Sequence, residues 1–405
     1  MALLTRRQLG LGAAALPLAR PALAQGARTT ISFAGVTFTE AGRGDRLRAW
    51  VDTFNKSQDK IEVQTLGLPF ASFANTMFTQ MGGGAGPDLI RFDQIDYYAA
   101  IASKRILPLE ELDNAGYKWI ATDKYMLVDG KRYGIVFESS NYVLLYNQSL
   151  VKTAPANFDA FVAAAKAATE GTTYGFGFRA TMAERPGFWQ DLCNFVYGFG
   201  GRWSDGTNLT LNDPKVVEGV AAYKTMYESG GIPKGADAAT YRRMFWENKL
   251  AMEIDNGGVA GIFSQQAPSL PLAATPSPFP TRNQGLVLAP LTVNANTKNR
   301  DACMTFIKWA LQPEQQAPLQ DLLGAGNPAT IVPRSAEALA AKPWLRVYDE
   351  QTPYSVPQLV AGFEVKTPEV QQIVLEQVLR VLQAGNDPKR AMDEAQRQAV
   401  GRLRR

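Results

Sequence analysis

Apolar and polar residues alternate along Thr29–Gly35 (TTISFAG) and Ile61–Leu66 (IEVQTL), the two-residue period of strands with one buried face. Between them Val36–Gly44 reads as a loop and Asp45–Ser57 as a helix. The short apolar run at Asp88–Phe92 reads as a third, buried strand. Strand–helix–strand spacing of this kind predicts a parallel sheet covered by helices. Tyr133–Phe137 and Tyr142–Tyr146 read as two further strands, interrupted by the polar Glu138-Ser-Ser-Asn141.

Later segments carry helical punctuation. Asp213-Pro214 offers an N-cap and a first-turn proline, and Gly230-Gly231 a stop. Val216, Val220, Tyr223 and Tyr227 share one face between them. Thr367-Pro368 opens a helix that runs to Gly385 with Val370, Val374, Val378 and Val381 inward, and Asp387-Pro388 opens a last one. Six prolines from Pro268 to Pro290 predict an extended connection. Neither an internal repeat nor a low-complexity tract is visible.

The N-terminus follows another pattern. Arg6-Arg7, a mild apolar run over Leu9–Ala19 and Ala22-Leu-Ala24 are the three parts of an export signal. The run is shorter than the ~20 residues that span a bilayer, and Gly10, Gly12 and Pro17 dilute it. Arg6-Arg7 before Gln8-Leu9, with Arg20 ahead of the cleavage point, predicts a signal of the twin-arginine type over residues 1–24. No cysteine follows Ala24, so a soluble, unlipidated mature protein is expected.

Composition narrows the chemistry. A chain of 405 residues suggests two or so domains of ~150 residues. Of the net charge of +4, Arg6, Arg7 and Arg20 belong to the leader, so the mature chain is nearly neutral. That balance argues against nucleic acid or an anionic membrane as partner. The chain has no histidine, which removes Ser/His/Asp and Cys/His sites, imidazole bases and histidine metal sites. Its two cysteines, Cys193 and Cys303, are too few for Cys-rich zinc or iron–sulfur centres, so neither metal nor cofactor is expected. In an exported protein the two could also form a disulfide.

Three motifs carry little. The glycine-rich Met81–Ile90 (MGGGAGPDLI) lacks a following Lys-Ser/Thr and enters a strand instead of a helix, the wrong setting for a phosphate cradle. Ser149-Leu-Val-Lys152 and Ser57-Gln-Asp-Lys60 both match S-x-x-K without a partner Lys-Thr-Gly. Glu40 and Glu138 are the carboxylate pair to test for glycoside hydrolysis, the alternative function for an exported chain.

Six stretches together resemble the extracellular solute-binding proteins of ABC importers, of the maltose- and glycerol-phosphate-binding type. They are Trp50–Thr65 (WVDTFNKSQDKIEVQT), Gly84–Asp93, Tyr133–Asn147, Gly198–Asp205 (GFGGRWSD), Phe245–Gly258 (FWENKLAMEIDNGG) and Asn299–Gln316, in the family's order. The resemblance implies an α/β, two-lobe periplasmic-binding-protein fold of type II, with three hinge crossings and a ligand cleft between the lobes. Lobe one would be 28–138 plus 277–334 and lobe two 139–276 plus 335–405. The hinges would fall at Glu138-Ser139, the proline-rich stretch and Val332–Ser335. A Cys193–Cys303 disulfide would then lock a hinge that must open, so two buried free thiols are favoured.

The implied function is a monomeric periplasmic receptor, not an enzyme, that hands a sugar or related polyol to an ABC permease. By matching position the ligand site comprises Thr39 and Glu40, then Phe92, Asp93 and Gln94. It continues with Glu138 and Ser139, Trp189 and Trp203, Asp255, Asn256 and Gly257, and Arg334. Indole and phenyl rings pack against the C–H faces of pyranoses, while carboxylate, amide and guanidinium groups match paired hydroxyls. Arg334 and Arg179 leave room for an acidic solute. Many relatives place an aromatic after the Gly of "AM…NG"; Gly258-Val259 offers none, a departure that puts a stacking platform in lobe two in doubt and leaves room for a solute smaller or more polar than an oligosaccharide.

Overall fold

The computed structural model describes residues 28–403, and the export signal expected over residues 1–24 lies outside them. β1 (Thr29–Gly35) pairs in parallel with β2 (Ile61–Gly67) and β3 (Leu89–Arg91). Alternation gives β1 two buried faces. Ile31 and Phe33 pack on Leu47, Trp50 and Phe54 of α1 (Arg43–Ser57), while Ala34 joins Phe73 and Met77 of α2 (Phe70–Gly82) and Tyr97 of α3 (Gln94–Ala102).

β4 (Leu127–Val128) and β5 (Lys131–Arg132) form a small hairpin ahead of β6 (Ile135–Asn147), whose thirteen residues are all buried. Then come α4 (Phe158–Ala167), β7 (Tyr174–Gly177), α5 (Arg185–Gly198), α6 (Pro214–Glu228) and α7 (Ala238–Trp246). β8 (Leu250–Asn256), α8 (Gly257–Gln266), β9 (Leu272–Thr275) and β10 (Gln284–Val293) follow. The chain ends through α9 (Arg300–Ala310), α10 (Pro313–Leu322), α11 (Ala336–Ala341) and α12 (Trp344–Gln351), then β11 (Ser355–Pro357), α13 (Thr367–Gln383) and α14 (Pro388–Leu403).

The sheet order is β2-β1-β3-β10-β6-β8-β7. β10 runs antiparallel to β3 and β6, so the sheet is mixed where strand–helix spacing suggested a parallel one. β6 is also one strand where two were expected. Its polar Glu138, Ser139, Ser140 and Asn141 pair with Ala289, Leu288, Val287 and Leu286 of β10, and Tyr142–Tyr146 then pair with β8. Backbone pairing carries the strand through a stretch that side-chain hydropathy marks as a break.

The proline-rich segment is extended, as expected, and holds β9 and β10. Pro290, which has no N–H to donate, sits at the register shift after Ala289. Beyond residue 141 β6 feeds two further cores. Tyr142, Leu144 and Tyr146 face α4, α5, α6, α13 and α14, whereas Val143 and Leu145 face α7, α8 and α12. The two halves of the molecule therefore have separate cores, and β6 runs through both.

The helix signals hold locally. Asp213 caps α6 by accepting from the Lys215 N–H, and the four valines of α13 are buried. Cys193 and Cys303 are buried free thiols in different cores. Burial pushes both thiols up, Cys303 to about 12. Among the described residues no helix is long and apolar enough to cross a membrane.

Candidate functional site

The end of β3 and the start of α3 build one side of a cleft. Side chains alternate there, so Arg91 and Asp93 line the opening while Phe92 turns away and packs on Phe73 and Phe78. A cavity of about 440 Å³ lies between Phe70, Asp93 and Asp96 on this side and Met182, Arg185 and Gln371 on the other. A second, of about 370 Å³, lies between Thr39, Glu40 and Phe70 and, across from them, Arg242 and Trp246. Val36 and Phe70 border both, and also a cavity of about 80 Å³ that reaches the floor.

Four arginines from distant parts of the chain meet at that floor: Arg43, Arg91, Arg179 and Arg242. Each is paired. Arg43 donates through Nη1 to Glu40 at 2.6 Å and through Nη2 to both oxygens of Glu138 at 3.1 Å. Arg91 Nη2 donates to Glu138 at 2.7 Å. Arg179 Nε donates to Asp191 at 2.7 Å and Arg242 Nε to Asp255 at 3.0 Å. Gly258 makes room for the first pair: a Cβ there would lie 2.6 Å from Arg43 Nη1 and 2.9 Å from Glu138 Oε1.

Burial alone would raise the Glu138 carboxyl, but Arg43 and Arg91 outweigh it and hold it below the usual carboxylate range. Among the described residues neither Asp93 nor Asp96 forms an ion pair, and Arg91 and Arg185 offset their burial only in part. Burial pushes Asp93 up to about 6; burial and the neighbouring Asp93 push Asp96 up to about 8. A guanidinium has five donors, and the pairings leave some unused; among the described residues the Nε atoms of Arg43 and Arg91 have no partner. The floor is thus close to charge-balanced, with donors and acceptors side by side. That arrangement suits neighbouring hydroxyls better than a lone charge.

Of the residues nominated from the sequence, Thr39, Glu40, Asp93, Glu138 and Asn256 line the cleft. Asn256 also caps α8, accepting from the Gly258 N–H at 3.0 Å. Asp255 is buried behind Arg242. The others sit elsewhere, for identifiable reasons. Phe92 lies in the core, and Gln94 is buried with its amide donating to the Leu286 carbonyl. Ser139 exchanges backbone hydrogen bonds with Asn327. Gly257 packs against Ala325, where a Cβ would approach to 2.3 Å. Arg334 donates to the carbonyls of Gly324, Ala325 and Gly326 and pairs with Asp349, which clamps the chain after α10.

The two tryptophans are a correction. Trp189 is 0% exposed and Trp203 1%, and they stack on each other with centroids 4.7 Å apart. Trp189 Nε1 donates to the Gln358 carbonyl and Trp203 Nε1 to Cys193 Sγ. Trp203 borders a cavity of about 240 Å³ that shares no lining residue with the cleft. Full burial with satisfied indole N–H groups makes these core residues.

Sequence reasoning missed Arg43, Arg91, Arg242, Arg185, Phe70 and Trp246. The one available signal was position: Arg91 is the penultimate residue of the predicted strand Asp88–Phe92, near the usual ligand side of an α/β sheet.

The family described as bacterial extracellular solute-binding protein matches residues 49–345. A binding protein of Brucella abortus (strain 2308) is 26% identical over 233 residues, 52% of this chain and 54% of that protein. The chain thus spans about half the length of the curated relatives it matches. An ABC transporter solute-binding protein from Thermotoga lettingae TMO, bound with alpha-D-tagatose, superposes with a TM-score of 0.80 at 18% identity, covering 92% of this chain and 98% of that one. Maltose-bound MalE3 of T. maritima gives 0.81 at 17% identity, covering 92% and 99%. By sequence match over most of its length, and with the two-lobe fold its structure displays, the chain belongs to the bacterial extracellular solute-binding proteins.

Proposed function

We propose that the protein is a periplasmic receptor that closes on a carbohydrate or polyol-like solute and delivers it to an ABC permease. The observation that carries this is the charge-balanced floor of paired arginines, bordered by residues of both halves of the molecule. Such a floor binds hydroxyls without demanding a charged ligand. Solved neighbours that hold tagatose and maltose support the same class.

The separate cores support lobes at 28–138 plus 277–334 and 139–276 plus 335–405, and a monomer is proposed. Thr39, Glu40, Asp93, Glu138 and Asn256 are proposed to meet the solute, with Arg43, Arg91 and Arg242 added. Arg185 is the cation left for an acidic solute. It bonds to Gln372, and among the described residues no carboxylate lies within ion-pair distance of it. Export is assigned to a signal peptide of the twin-arginine type.

The hydrolase alternative finds less support. Glu40 and Glu138 are tied to one guanidinium, and Glu138 is held ionised, whereas a glycosidase acid must keep its proton near neutral pH. Native mass spectrometry of freshly purified protein, followed by calorimetry with a panel of sugars and alditols, tests the proposal. A retained polyhydroxylated solute is the expected result. Failure of every sugar and alditol to bind would overturn it.

A further inference from the structure

The cleft is divided. Phe70, the first residue of α2, borders all three cavities, so the two large ones adjoin at this residue and reach a shared floor. Their linings differ. The first is the more polar of the two, with Asp93, Asp96, Arg91 and Arg185 beside apolar residues such as Phe73 and Ile95. The second is mainly apolar, between Phe70 and Pro69 on one side and Trp246 and Ile262 on the other.

Trp246 owes its place to α7. Ala238, Arg242 and Trp246 recur every four residues and therefore share the helix face that lines the second cavity. Arg242 is fixed there by Asp255, and Phe263 meets the Trp246 ring edge-on with centroids 6.4 Å apart. Unlike Trp189 and Trp203, Trp246 is only half-buried. An aromatic thus faces the cleft from each half of the molecule, Phe70 from one and Trp246 from the other. The lobe-two platform that Gly258-Val259 does not supply is available from a different helix.

We infer that the solute has two units: a polyhydroxylated head in the polar chamber and a second ring, as in a disaccharide, seated between Phe70 and Trp246. The occupant follows from continuity and chemistry. The second chamber joins the first around Phe70 and the floor, it offers apolar faces of ring size, and Glu40 and Arg242 at its edge supply acceptor and donor for hydroxyls. A free monosaccharide would leave this chamber empty. The inference rests on the carbohydrate reading of the cleft and adds the size of the solute and the residue that selects it.

The test is calorimetry of the mature protein with a matched panel: free pyranoses and alditols, and disaccharides carrying each as one unit. For the best head, the disaccharide is expected to bind about tenfold more tightly than the monosaccharide. Trp246→Ala should erase that difference while leaving monosaccharide affinity unchanged, and Trp246→Phe should restore part of it. The apo melting temperature of Trp246→Ala should fall less than that of a fully buried tryptophan variant, because Trp246 is only half-buried against Phe263. Equal affinity of free and linked sugars, or an equal loss for both in Trp246→Ala, overturns the two-unit solute but leaves a sugar receptor standing. No binding by any member overturns both.

Discussion

The Arg43 guanidinium lies 3.1 Å from both carboxylate oxygens of Glu138, with the two residues 2% and 1% exposed. Glu138 belongs to the strand that runs through both halves of the molecule, and Arg43 opens α1. The pair therefore fixes the cleft floor to the element about which the halves would move. Arg91 shares the same carboxylate, so one acid pairs with two buried cations, and Glu40 on Arg43 supplies the second negative charge.

Glu138→Gln should cost about 3–5 kcal/mol of stability at neutral pH, because it takes from buried Arg91 its ion-pair partner and leaves Arg43 paired, among the described residues, with Glu40 alone. The pH dependence has a definite sign. The folded value of Glu138 is depressed, so its contribution is fully present above the unfolded value near 4.5 and is lost as the pH falls through the folded value. Thermal melts of wild type and variant should converge in acid. A constant difference down to about pH 2 would refute the pairing as the cause.

Asp96 has the opposite sign. The folded protein holds its proton up to about pH 8, more tightly than the unfolded chain does. Stability should fall as the pH rises from about 4 through 8, the window between those two values. Asp96→Asn should thus raise the melting temperature relative to wild type more at about pH 8.5 than at about pH 5. The same increment at both would count against it.

Trp189→Ala should unfold the protein far more readily while sparing the site. A fully buried tryptophan costs about 3–5 kcal/mol when truncated, and the lost indole N–H also orphans the Gln358 carbonyl. Solute affinity of the folded fraction should hold. Weakened affinity with normal stability would return Trp189 to the cleft.

Export can be checked without the solute. Replacing Arg6 and Arg7 by lysine keeps the charge but removes the guanidinium pair, so precursor should accumulate in the cytoplasm. Normal periplasmic yield would rule out the twin-arginine route.

Local signals in the sequence determined much of this protein. Two-residue alternation located β1 and β2, and cap-and-proline pairs located the start of α6, α13 and α14, because both effects act between residues close along the chain. Six spaced stretches were enough to imply the two-lobe fold and the receptor class. Composition alone, through the absence of histidine, excluded imidazole bases, histidine-dependent triads and histidine metal sites.

Other features were decided only by tertiary structure. Hydropathy split β6 at Glu138–Asn141, yet strand pairing with β10 keeps it whole, since a polar side chain does not prevent its backbone from joining a ladder. One position along the chain separates Arg91, in the cleft, from Phe92, in the core. Indole rings gain from burial in a core as they gain from packing on a sugar, so composition could not tell Trp189 from Trp246. Arg43, Arg91, Arg179 and Arg242 form one floor only because folding brings four distant segments to the same strand ends. Each needed its carboxylate there, and no local pattern records a partner that lies far along the chain.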